Sequence, residues 1–294
     1  MQTLNTQPDS VETQRIQIDT PDGYQLSATL YTPELPNDQC IIINGATGVL
    51  RKYYHAFAKH LSQYGFVVLT YDYRGIGDTQ KVEDSAPNPT MLHWGQRDMD
   101  AVLNFVQGTL PEYRILGVGH SIGGQLLGVV PDNHRYHAYL NVASQHIHWR
   151  NWPIVDQPLT ALFFFGVLPL FTTFTGGLPK WVLGAEYLPK QVAKDWSRFG
   201  RKKAWIADEK GKPLREGYRS YRGKMRFLAM KDDRRFAPPA CVERLAQEFT
   251  QAPKDVKVIT PSDYGMKRID HFGFFQKHMN RSAWDDCANW FLQS

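Results

Sequence analysis

The run Gly119-His120-Ser121-Ile122-Gly123-Gly124 sets a serine between glycines, directly after the largely apolar residues 114–118 and directly before residues 125–130, which suit a helix. A strand turning sharply into a helix forces its middle residue into a strained backbone conformation, where bulky neighbours collide, so flanking glycines fit such a turn. The turn lifts a hydroxyl above the sheet edge, the position of a nucleophile for acyl transfer. It also leaves the backbone N–H of Ile122 unpaired at a helix start, aimed where a tetrahedral oxyanion forms. A glycine-rich turn that binds phosphate or merely packs closely has similar residues. A phosphate loop calls for a lysine after the glycines, however, and Gln125 and Leu126 stand there.

A nucleophilic serine needs a general base, and the base needs an anion to fix its tautomer. Residues 225–230 read as a strand running into the polar turn Lys231-Asp232-Asp233-Arg234-Arg235, whose closing prolines suit a helix start. Either Asp232 or Asp233 then projects from the carboxyl end of a strand, with Asp233 favoured; the alternative is a solvated acidic turn facing Arg234 and Arg235. Residues 255–260 read as another strand, followed by a loop carrying Asp270-His271-Phe272-Gly273. His271 is the candidate base, against the alternative of a histidine satisfied inside an aromatic loop. The order Ser, Asp, His matches one of the known serine-triad orders and differs from the other two.

The second half of an oxyanion hole is expected from an earlier strand-to-helix loop. Residues 40–43 are that strand and Asn44-Gly45-Ala46-Thr47-Gly48 the loop, so the Ala46 N–H is the second candidate donor. An ordinary turn carries the same glycines.

These groups must be positioned by alternating strands and helices. Residues 15–19 and 24–31, around Thr20-Pro21-Asp22-Gly23, read as an antiparallel hairpin. Tyr54, Phe57, Ala58 and Leu61 fall at helical spacing, Gly65 ends that helix, and residues 66–70 are the next strand. Met99, Val102, Leu103 and Val106 mark a second helix, and Ser121 opens a third. Residues 136–142 read as a strand; Val242 to Phe249 and Trp284 to Phe291 mark later helices. This alternation predicts an α/β fold with a mostly parallel sheet, helices on both faces, and the site at the carboxyl ends of the strands.

Between about Ser144 and Arg222 the alternation stops and aromatic residues cluster, from Trp149 and Trp152 through Leu162-Phe163-Phe164-Phe165 to Trp181. The division predicted is a core of residues 1–143 and 223–294 with a helical cap inserted at 144–222. Residues 159–174 are short for a membrane span and are interrupted by Gly166 and Pro169, so no stable span is expected. A cap rich in Phe and Leu suits an apolar or acyl substrate, although the same residues also suit packing on the main domain.

With 294 residues, 42% of them hydrophobic, the chain can bury a large core. Its formal charge of +5 is modest and its Lys and Arg are scattered, which argues against a nucleic-acid track. Cys40, Cys241 and Cys287 lie far apart without metal spacing, and residues 1–14 lack an apolar signal core; both point to a cytoplasmic protein. His146 and His148 have no third ligand nearby, so no metal is expected.

Taken together, Asn44-Gly45-Ala46-Thr47-Gly48, Tyr71-Asp72-Tyr73-Arg74-Gly75-Ile76-Gly77, Gly119-His120-Ser121-Ile122-Gly123-Gly124 and Asp270-His271-Phe272-Gly273-Phe274-Phe275 resemble the α/β-hydrolase superfamily. More narrowly they resemble its bacterial branch of lysophospholipase-like and serine-aminopeptidase-like predicted hydrolases, as does the cap phrase Gly166-Val167-Leu168-Pro169-Leu170-Phe171. The resemblance runs from about Arg15 to the end. It implies the α/β-hydrolase fold with Ser121 as nucleophile, His271 as base and an acid in the turn after Lys231, while Asp72 and Arg74 tie their loop in place. One departure stands out: the superfamily's acid commonly precedes the turn's proline by four residues, which is Arg234 when counted from Pro238, so Asp233 is one residue early.

The expected activity is hydrolysis of a small-molecule ester or acyl substrate through an acyl-enzyme, without metal or organic cofactor. A small-peptide or amide hydrolase, and a silent protein that holds an apolar ligand in the same pocket, are the alternatives. Acyl length and oligomeric state are not encoded in these spacings.

Overall fold

The computed structural model of the protein describes residues 10–183 and 185–294; residues 1–9 of the polar N-terminal stretch lie outside them. The strands are β1 (Val11–Asp19), β2 (Tyr24–Pro33), β3 (Gln39–Asn44), β4 (Val67–Tyr71), β5 (Gln80–Lys81), β6 (Arg114–His120), β7 (Tyr136–Val142), β8 (Gly177–Leu178), β9 (Leu188–Pro189), β10 (Lys224–Met230) and β11 (Lys254–Ile259). Within the described residues nine of them form one sheet in the order β1-β2-β4-β3-β6-β7-β10-β11, with β5 on β2. From β4 to β11 all neighbours are parallel, while β1, β2 and β5 are antiparallel additions at one side. The sheet is therefore mostly parallel, as the alternation predicted.

A parallel strand covered on both faces needs apolar residues at successive positions. In β3, Cys40 and Ile42 join one core cluster while Ile41 and Ile43 join the other. Met225, Phe227 and Ala229 of β10 divide from Leu228 and Met230 in the same way. One cluster packs under the helix His55–Ser62 and the C-terminal helix Arg281–Leu292, through Phe57, Leu61, Trp284 and Phe291. The other packs under Asp100–Thr109 and Pro239–Glu248. From β3 the chain crosses to β4 on one side and later returns to β6 on the other, so the strand order reverses between the carboxyl ends of β3 and β6.

Local departures have physical causes. The second helix starts earlier than its apolar spacing suggests: Met91–His93, Trp94–Met99 and Asp100–Thr109 run on as one helix, capped by Thr90 Oγ1 accepting from His93 N–H and π-wound in the middle. The helix that Ser121 opens is short, Ile122–Gln125, and passes into a 3₁₀ turn, Leu126–Val129, before Pro131. Between β7 and β10 lie short helices, the two-residue pair β8–β9 and the longer helix Lys190–Arg201. Here Gln157–Ala161, Leu162–Val167 and Leu168–Phe174 continue one another through Gly166 and Pro169. The π turn displaces hydrogen bonds just where proline lacks its donor.

The loop after β4 is tied down by buried charge. Asp72 accepts from Arg51 N–H at 2.6 Å and pairs with its guanidinium. Arg74, fully buried, reaches Asp98 on the π segment at 2.6 Å and Asp22 in the hairpin turn at 2.7 Å. Burial pushes the Asp98 carboxyl up to about 7, against the pull of Arg74. Arg74→Met strands that carboxyl, and about 3 kcal/mol of stability should be lost at pH 8 by urea unfolding. The unfolded carboxyl ionises near pH 4 and the folded one only several units higher, so the variant's deficit should shrink as the pH is lowered from 8 to 5. A deficit unchanged across that range would show that Asp98 is not the group left uncompensated.

Candidate active site

β6 ends at His120 and the next helix begins at Ile122, so Ser121 alone makes the reversal, with φ 53° and ψ −112°. That left-handed region costs a serine on the order of 1–3 kcal/mol, and the surroundings must hold it there. Ser121 N–H donates to Val142 O at 3.1 Å, and Ser121 O accepts from Gly124 and Gln125 N–H. A Cβ at Gly119 would stand against Gly124, and one at Gly123 would strike the Asn44 carbonyl, so both flanking glycines are required by close approach. Beneath the turn Tyr139 Oη donates to Gly123 O at 2.9 Å and accepts from Asn44 Nδ2, while Tyr71 Oη donates to Asn44 Oδ1. Ser121 is 7% exposed, and its hydroxyl makes no hydrogen bond among the described residues.

The two adjacent aspartates do different things. Asp233 Oδ2 accepts from His271 Nδ1 at 2.6 Å, and its other oxygen accepts from Phe236 N–H at 3.0 Å. Asp232 turns to the other segment and accepts from Ile269 and Asp270 N–H at 2.9 and 3.1 Å. Burial works to raise the Asp233 carboxyl, but the His271 charge and hydrogen bond, with the Phe236 and Ala237 N–H groups, outweigh it and hold it below the usual carboxylate range. In a neutral His271 that donates Nδ1–H to Asp233, the other ring nitrogen has the free lone pair a base needs. His271 sits in the first turn of the short helix Asp270–Gly273, after a left-handed Asp270, rather than on the open loop expected. Its ring lies near those of half-buried Phe236 and Phe272, at 5.0 and 4.9 Å.

The expected oxyanion donors fare differently. Ile122 N–H is at the first position of its helix, where no intrahelical partner exists. Ala46 N–H is not free in this conformation: it donates to Tyr54 Oη at 2.8 Å. The reason is the 3₁₀ segment Arg51–Tyr54, which folds the Tyr54 ring against Gly45 under the loop.

Tyr54 leads to residues that spacing alone did not single out. Its hydroxyl lies 2.9 Å from His120 Nδ1, and His120 Nε2 lies 2.9 Å from the backbone carbonyl of His271. Burial, then the nearby His271 charge, push the His120 imidazole down to about 3, so it is neutral. A carbonyl only accepts, so Nε2 carries the hydrogen, Nδ1 accepts, and Tyr54 is the donor. The chain Ala46 N–H to Tyr54 to His120 to His271 O thus joins the loop after β3, the Ser121 turn and the His271 segment. Tyr53 Oη adds a bond to Phe272 O beside it. The one signal in the sequence was a histidine at the last position of a strand that is apolar after Arg114.

His146 and His148 do not approach the triad candidates in any hydrogen bond. His146 stacks on Trp205 at 4.5 Å and its Nδ1 meets Asn151 Nδ2 at 2.8 Å.

A sequence model described as "Alpha/beta hydrolase family" matches residues 40–278. No curated protein matches the sequence. Among solved structures, a soluble variant of monoglyceride lipase from Saccharomyces cerevisiae, in complex with a substrate analog, is 16% identical with a TM-score of 0.67, over 97% of this chain and 98% of that one. An esterase from Pyrococcus furiosus is 16% identical with a TM-score of 0.63, over 96% and 91%. Est1E from Butyrivibrio proteoclasticus, solved with ferulic acid bound, is 16% identical with a TM-score of 0.63, over 95% and 98%. At such identities these likenesses carry the fold.

Proposed function

The chain belongs to the alpha/beta hydrolase family, and on that premise we propose that it is a serine hydrolase cleaving carboxylic esters of an apolar or acyl substrate through an acyl-enzyme on Ser121. The observation that carries this reading is the 2.6 Å contact of His271 with buried Asp233 at the same sheet edge as the strained Ser121 turn. His271 takes the Ser121 proton as the oxygen attacks the carbonyl carbon. The tetrahedral oxyanion is met by Ile122 N–H, with Ala46 N–H as the second donor once it is shared between Tyr54 and the substrate oxygen. His271 then protonates the departing alcohol, and water repeats the sequence to release the acid. The free and buried state of all three cysteines is consistent with a reducing, cytoplasmic setting.

The segment over residues 144–222 is read as a cap, and the Phe236 and Phe272 rings beside His271 favour an apolar acyl group over a charged one. Hydrolysis of p-nitrophenyl esters from acetyl to palmitoyl tests this directly. Turnover should rise from acetyl to a longer chain, and matched anilides should be cleaved far more slowly. Anilide turnover equal to ester turnover would favour the amidase alternative, and no turnover of either would favour the silent binder.

Tyr54 is a positioning residue in this scheme. Tyr54→Phe removes the partner of two buried groups, Ala46 N–H and His120 Nδ1, each worth about 1–3 kcal/mol when orphaned. We expect kcat to fall about tenfold with KM little changed, beside a lower melting temperature. A rise in kcat would instead mean that Tyr54 competes with the substrate for the Ala46 donor.

A further inference from the structure

The helix running over Gln157–Phe174 is as unusual for its surface as for its length. Its mean hydropathy is 1.4, yet only 17% of it is buried. Phe164, Leu168 and Thr172 pack inward, with Ser197 Oγ donating to Phe164 O at 2.7 Å and Gly200 seating the Phe164 ring. The opposite side exposes Leu159, Leu162, Phe165, Leu170 and Phe174, the last at 78%. Ile154 and Val155 extend this face at one end, and Trp181, 74% exposed and 5.2 Å from Phe171, adds to it at the other. A contiguous apolar face of this kind marks an interaction surface.

The rim says what covers it. Residues 146–203 hold eight Lys and Arg against three Asp and Glu, an excess equal to the whole formal charge of +5. Arg201 lies over the Phe165 ring at 5.7 Å, and Arg150 over Trp149, itself 6.1 Å from Phe165. Lys194, Arg198 and Arg201 also line a cavity of about 560 Å³ with Thr172 and Thr173 of the same helix, where Asp195, paired with Arg198, and Glu209 offset part of their charge. An isologous dimer would press this basic rim against its own copy. An anionic lipid surface offers what the face needs: hydrocarbon for Leu and Phe, an interfacial layer for Trp, and negative headgroups for Lys and Arg. Eighteen residues make about 27 Å of helix, and with one side already packed on Lys190–Arg201 the helix suits lying along a bilayer rather than crossing it.

We infer that the exposed face of the Gln157–Phe174 helix docks this protein on the surface of an anionic phospholipid membrane. The test is co-sedimentation of the full chain with vesicles of phosphatidylcholine alone or mixed with phosphatidylglycerol, beside size measurement without lipid. The chain should sediment with the mixed vesicles, weakly with phosphatidylcholine, and less at high salt. Leu170→Ser with Phe174→Ser, at exposed positions, should abolish binding without lowering the melting temperature. Lys194→Gln with Arg201→Gln should weaken binding about tenfold. No binding to mixed vesicles overturns the inference. So does a dimer in solution that the Leu170 and Phe174 changes disperse, because the face would then belong to a second copy.

Discussion

Ser121→Ala is expected to lower kcat for a p-nitrophenyl ester on the order of 10⁶-fold while leaving the fold intact. Removing the nucleophile of a triad costs about as much as removing the whole triad, because base and acid have nothing left to activate. The fold should survive because the alanine side chain removes only an oxygen that makes no hydrogen bond among the described residues. The left-handed backbone of this position is disfavoured for alanine as for serine, so any change in melting temperature should be small. A variant retaining a tenth of the wild-type rate would place the chemistry elsewhere.

The second large effect separates two neighbouring carboxylates. Asp233→Asn should cost about 10⁴-fold in kcat, because an amide presents a donor to His271 and turns the imidazole into the wrong tautomer for accepting the serine proton. Asp232→Ala should cost no more than about tenfold in kcat but about 1–3 kcal/mol of stability, because it orphans the Ile269 and Asp270 N–H groups that set the entry to the His271 helix. Steady-state kinetics and urea unfolding of the two variants read the split. The reverse pattern, with Asp232→Ala inactive and Asp233→Asn active, would reassign the acid. Because His271 and neighbouring N–H groups hold Asp233 below the usual carboxylate range, its charge persists as the pH falls past that range, and the contact is lost only below it.

Much of this was legible in the chain. The sharp strand-to-helix turn at Ser121 and the parallel order of strands followed from glycine spacing and from alternation, both local properties that the backbone must obey. The choice between Asp232 and Asp233 was not legible in the same way. Adjacent residues on a turn send their side chains in different directions, and which direction meets His271 depends on how β10 and β11 align. The Ala46 N–H was singled out from the glycines around it, but Tyr54 was read as the first residue of an apolar helical face, whereas it closes a 3₁₀ turn ahead of that helix and brings its hydroxyl to Ala46. His120 was hidden because a buried neutral histidine differs from an apolar core residue only by its two hydrogen bonds. Gly166 and Pro169 looked like breaks in an apolar run, whereas a π turn carries the helix through them.

The central claim, that Ser121 is a nucleophile activated by His271 and Asp233, is tested most directly by reaction with a fluorophosphonate, followed by intact mass and peptide mapping. The account predicts one adduct per chain, located on Ser121, absent from Ser121→Ala and formed much more slowly in Asp233→Asn. A folded wild-type protein that takes up no label, or carries it on another residue, would contradict it.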